Sequence, residues 1–154
     1  PVPVIIYLII AAIFIFISTR TIYGRSVYAV GGNEEAARLS GIRVKFNPIS
    51  ILGMTAFLSA ISGILLTSRR NTSYAGVGVG WEFDAIAAVL IGGTALFGGE
   101  GSITGTLLGV LFIGLLANGM VLLGVNPYLQ DVARGAIILL AVLLSVLQQP
   151  KTDS

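Results

Sequence analysis

The chain has 154 residues, 55% of them hydrophobic and 10% charged, with a formal net charge of +2 and a mean hydropathy of +0.95, far from the composition of a soluble domain. It contains no cysteine and no histidine, which excludes disulfides, thiolate chemistry, Ser-His triads and zinc sites built from this chain alone. No catalysis, cofactor or metal is therefore expected within it, and the clustering of its basic residues points to membrane orientation rather than to nucleic acid.

Residues 2–17 form an apolar run closed by Ser18, Thr19 and Arg20. The run has no initiator Met, basic n-region or small-residue cleavage site before it, so it does not read as a signal peptide. It looks like a span entered midway, and further spans are expected ahead of it. Residues 20–45 follow, carrying Arg20, Arg25, Arg38, Arg43 and Lys45, five of the nine basic residues. By the positive-inside rule this loop faces the cytoplasm.

Inside that loop lies "GGNEEAARLSGI", residues 31–42, an island of polar, helix-favouring residues. Asn33 is a good N-cap, Glu34 and Glu35 fall where the helix dipole favours acids, Arg38 sits near the other end, and Gly41 stops the helix. Glu34 and Arg38 are spaced for an i, i+4 pair. The result is a helix of about two turns with Ala36, Ala37 and Leu39 offering a compact apolar surface. A loop helix that merely packs on its own protein or on lipid headgroups satisfies the same signals.

Residues 46–67 are long enough to cross a bilayer, with small residues at helical spacing, Ala56 with Ala60 and Ser59 with Gly63. Arg69 and Arg70 open a polar, glycine-rich segment in which Tyr74 and Trp81 suit the membrane interface; Asn71 and Thr72 are weak solute candidates. Residues 84–98 are apolar but short for a span of about 30 Å, and are expected as a short or re-entrant helix. Asp84 is expected to cap it, with docking of a solute or its carrier as the other reading. "GGTALFGGEGSITG" lacks the lysine of a phosphate loop. Its glycines either pack tightly or, with Thr94, line a pathway.

Residues 103–123 form the next apolar run. Gly101, Gly105 and Gly109 are spaced by four and would present one flat face to a neighbouring helix. Asn118 sits well inside this run, where an amide seeks a partner in another helix or a solute. A turn surrounds Asn126 and Pro127, and residues 132–147 form the last apolar run, with Asp131 and Arg134 spaced for a local ion pair. If 84–98 crosses, Lys151 lies inside; if it is re-entrant, the tail lies outside. The acids and bases all fall at or beyond the ends of these runs, whereas proton-driven carriers usually hold an ionisable residue within the membrane. Energy is expected to enter from outside the spans.

"GRSVYAVGGNEEAARLSGI" resembles the cytoplasmic coupling loop of bacterial ABC importer permeases, in particular the sugar branch that includes the ribose permease. "DAIAAVLIGGTALFGGEGSITGTLLGVLFIGLLANGMVLLGV" is similar to the same permeases, with its glycine punctuation in matching order. The resemblance covers about residues 19–148 and implies the C-terminal half of a permease of about ten spans. It implies that residues Gly32, Asn33, Glu34, Glu35, Ala36, Ala37, Arg38, Leu39, Ser40 and Gly41 dock into a cleft of an ABC ATPase subunit. It also implies a second permease subunit forming a homodimer, a periplasmic or extracellular solute-binding protein, and a sugar as cargo.

The expected architecture is an all-α integral membrane protein, a polytopic helical bundle of about five membrane segments with a cytoplasmic coupling helix, forming one transmembrane domain over 1–154 in the bacterial inner membrane. A permease for branched-chain amino acids or another small polar solute shares this plan. A membrane scaffold that recruits a soluble partner without transport is the reading from a different class.

Overall fold

The computed structural model describes residues 2–70 and 76–147; Asn71, Thr72, Tyr74 and Lys151 lie outside them. The described residues form seven helices and no strand, in two compact units. Four helices are long and apolar enough to cross a membrane.

The first unit holds α1 (Val2–Arg20), α2 (Ile22–Gly32), α3 (Glu34–Leu39) and α4 (Phe46–Arg70). α1 ends because Ser18 and Thr19 turn their hydroxyls back onto the Ile15 carbonyl, at 3.1 and 2.7 Å, which loosens a last turn. Thr21 is then the single residue between two helices. It adopts an extended conformation and its Oγ1 accepts from Gly24 N at 3.1 Å, capping α2. The chain folds back so closely that a Cβ at Gly24 would strike the carbonyl oxygens of Ile17 and Ser18, so glycine is required by space.

α2 is a difference from the sequence reading, which left residues 22–32 as loop: three glycines, Gly24, Gly31 and Gly32, dilute its helical signal. α4 accommodates Pro48 at its third residue, where the missing N–H has no intrahelical partner to lose. Ala56, Ser59, Ala60 and Gly63 are exposed, so the small-residue face of α4 has no helix of this unit against it.

The second unit holds α5 (Trp81–Ile91), α6 (Ile103–Leu122) and α7 (Pro127–Leu147). α5 lies between α6 and α7, burying Ala87 and Ala88 against Ile113 with Ile91, Ile137 and Ile138 around them. With 11 residues it is about 16 Å long at 1.5 Å per residue, half of the roughly 30 Å hydrocarbon core. It does not cross as a helix. Its C-terminus is fixed by Gly93 at φ +83°, with Gly93 N on Leu90 O at 3.0 Å and Thr94 N on Val89 O at 3.2 Å, the paired bonds of a Schellman motif.

α7 starts five residues before the expected Val132. Asn126 accepts from Tyr128 N through Oδ1 at 3.0 Å, and Pro127 takes the first helical position, where its fixed φ suits the helix.

Candidate functional site

The loop helix α3 is built by one residue serving two helices. The Asn33 N–H bonds Ala29 O at 3.1 Å and closes α2, while its Oδ1 accepts from Ala36 N at 2.9 Å and opens α3. Glu34 and Glu35 occupy the first turn, where they meet the positive end of the dipole. At the other end Ser40 returns its hydroxyl to Ala36 O at 2.9 Å. Gly41 takes φ +82°, and the bonds Gly41 N to Arg38 O at 3.0 Å and Ile42 N to Ala37 O at 3.1 Å complete a Schellman motif. A six-residue helix, too short to persist on propensity, is thus closed at both ends.

Two details differ from the sequence expectation. The ion pair joins Glu35, not Glu34, to Arg38, at 2.7 Å with both side chains about two-thirds exposed, so it is a surface pair of about 0–1 kcal/mol. Glu34 is exposed and makes no ion pair among the described residues. Ala37 is only 4% exposed and faces its own unit, where α3 packs on α2. The outward surface is therefore Glu34, Glu35, Ala36, Arg38 and Leu39, the last 81% exposed. Gly32 is the final residue of α2.

Sequence reasoning missed a set of polar side chains between α2 and the start of α4. Ser50 Oγ donates to Asn47 O at 2.8 Å, which leaves Tyr23 Oη to donate to Ser50 Oγ at 2.6 Å. Ser26 Oγ donates to Tyr23 O at 2.7 Å and stands 3.4 Å from Asn47 Oδ1. Asn47 is 4% exposed and its Nδ2 is buried with no hydrogen-bond partner among the described residues. Polar residues three apart, Tyr23 with Ser26 and Asn47 with Ser50, are the signal that would have found them.

In the second unit the expected solute residues are not brought together. Asp84 lies in the first turn of α5, Thr94 follows its other end, and Asn118 is exposed on α6. Asp84 is not the cap of α5: Gly80, at φ +88° and with no side-chain bond, holds that position. Asp84 instead meets Arg134 of α7, Oδ1 to Nε at 3.1 Å, with both side chains about a quarter exposed. These two atoms are buried and have no other partner among the described residues. The Asp131–Arg134 pair is present at 3.4 Å, with Asp131 exposed. Because α7 starts at Pro127, Arg134 lies within the helix, about 10 Å from its start, rather than at the end where sequence placed it.

The glycines divide. A Cβ at Gly105 would strike Gly92 O, and one at Gly109 would strike Ala88 O, so these two glycines let α6 touch the backbone of α5. Gly101 precedes α6 instead of lying on it; its φ of +150° and the Thr94 side chain beside it set its identity.

Comparison with known proteins adds the following. The family described as the permease component of branched-chain amino acid transport systems matches residues 2–142. The chain is 53% identical over 147 residues to a probable ABC transporter permease protein of Escherichia coli, covering 96% of this chain and 44% of that protein. It is 48% identical to the ribose import permease protein of Bacillus subtilis, over 94% of this chain and 45% of that protein. It is 42% identical to the xylose transport system permease protein of Haemophilus influenzae, over 98% of this chain and 40% of that protein. The chain thus spans less than half the length of these curated relatives. No solved structure matches it.

Proposed function

The chain belongs to the family of permease components of branched-chain amino acid transport systems, and on that premise we propose that it is part of the translocating subunit of an ABC importer in the bacterial inner membrane, with α3 as the helix that docks on the ATPase. The observation that carries this reading is a short helix capped at both ends and presenting charged and apolar side chains outward. It sits in the most basic loop of a chain with four apolar spans. A stiff element of this kind transmits displacement where a loose loop would absorb it. ATP hydrolysis is assigned to a separate subunit, and alternating access of the spans moves the cargo.

The cargo we assign is a monosaccharide, of the ribose or xylose kind, because relatives named for those sugars match 42% to 48% of aligned positions. The family description favours a second reading, a branched-chain amino acid. A second permease copy and a secreted solute-binding protein complete the assembly we propose.

The test is uptake of labelled ribose and xylose by cells carrying the intact transporter. Ala36→Arg places a long charged side chain on the outward face of α3, and loss of one interface anchor of about 2 kcal/mol corresponds to about thirtyfold. Uptake is expected to fall by at least tenfold, with Glu34→Ala weaker but in the same direction, and with membrane levels unchanged. Undiminished uptake in both variants contradicts the docking role of α3.

A further inference from the structure

The joint between the loop helices and the first unit's long span is polar, and its geometry bears on how a push on α3 reaches the membrane. α3 packs on α2, and α2 in turn packs on α1 and on α4. The contact with α1 is the close approach at Gly24, where backbone meets backbone. The contact with α4 lies at the first turns of that helix, where Tyr23 and Ser26 of α2 meet Asn47 and Ser50. Beyond that joint α4 packs little on its own unit: none of the residues in its apolar window is buried.

We infer that Tyr23, Ser26, Asn47 and Ser50 form a clasp that makes α2 and α4 move as one lever, so that they are positioning residues for coupling; this rests on the reading of α3 as the ATPase-docking helix. Two apolar faces slide past one another at little cost, because dispersion and desolvation have no direction. A hydrogen bond weakens steeply once its angle falls, so a chain of them fixes register as well as distance. Here one bond crosses between the helices and is anchored on the far side: the Tyr23 hydroxyl donates to the Ser50 hydroxyl, whose own proton is held by the Asn47 carbonyl of the same helix. Asn47 is buried, with its Oδ1 3.4 Å from the Ser26 hydroxyl of the facing helix. A buried amide resists being drawn away from the polar side chains around it, since an unmade buried bond costs more than a made one gains. Covalent connection alone does not supply the stiffness, because residues 40–45 between α3 and α4 hold turns, including Gly41 at φ +82°.

The test uses the assembled transporter in proteoliposomes and reads labelled ribose moved per ATP hydrolysed, together with the yield of a cross-link from Ala36→Cys to the ATPase. Tyr23→Phe and Ser50→Ala remove the same bond. Each is expected to lower the sugar-to-ATP ratio about two- to tenfold, the range set by one hydrogen bond, with the cross-link yield unchanged. The double variant is expected to be no worse than the more severe single, as for two partners of one interaction. Ser50→Thr, which keeps the hydroxyl, is expected to retain the ratio. An unchanged ratio in both singles with the cross-link intact overturns the clasp and leaves the docking role standing, as do strictly additive losses. Absence of the cross-link in the Ala36→Cys protein with the clasp residues intact overturns both.

Discussion

Asn33 and Arg134 are single residues that each hold two elements, and the physics differs between them. Asn33 uses its backbone for α2 and its amide for α3, a local arrangement that needs no tertiary partner. Arg134 reaches across from α7 to Asp84 on α5 while also contacting Asp131. Breaking the second arrangement leaves a carboxylate oxygen unsatisfied in an apolar setting, at a cost of about 1–3 kcal/mol. Arg134→Ala is therefore expected to lower the thermal unfolding temperature of the purified protein in detergent by several degrees. Arg134→Met with Asp84→Leu is expected to recover part of that loss, because replacing both charges removes the desolvation penalty with the pair. An unaltered unfolding temperature in Arg134→Ala rules out a structural role for the pair.

At the scale of elements, α5 depends on glycines that belong to its neighbour. Gly109→Ala drives a Cβ into the carbonyl of Ala88 and Gly105→Ala into that of Gly92; backbone has no rotamer with which to yield, and overpacking of this sort costs about 1–3 kcal/mol. Gly114→Ala on the same helix meets nothing within 4 Å and serves as the contrast. Thermal unfolding is expected to be lowered by the first two and not by the third, and equal effects in all three argue against the α5–α6 contact.

The parts legible in the sequence were those with local causes. The apolar runs gave the spans, and Asn33, the paired acids and Gly41 gave α3 with both its ends, because caps and dipoles act within a turn. α2 was hidden by its glycines, and the early start of α7 by a turn signal at Asn126–Pro127 that is also a helix start signal. The pairs Asp84 with Arg134 and Tyr23 with Ser50 lie 50 and 27 positions apart, and no periodicity connects residues at such distances. The inward side of Ala37 depends on where α2 lies, which the pattern of α3 alone does not contain.

For the whole molecule, membership of the permease family and similarity to proteins named for ribose and xylose transport frame a chain whose helices leave much apolar surface open within each unit. Phe57, Leu115 and Leu139 are each more than 65% exposed, as suits surfaces that face lipid or other spans. In the function proposed above, work done on the loop that holds α3 must reach the spans, and α3 is the element proposed to receive it. The most direct measurement is whether Ala36→Cys, in the intact transporter, cross-links to the ATPase subunit and whether ATP alters the yield. A cross-link whose yield changes on ATP binding is the predicted result. A stable complex with no cross-link from position 36 or from the neighbouring exposed positions 35 and 39 would contradict the account and leave α3 as a capped helix packed on its own protein.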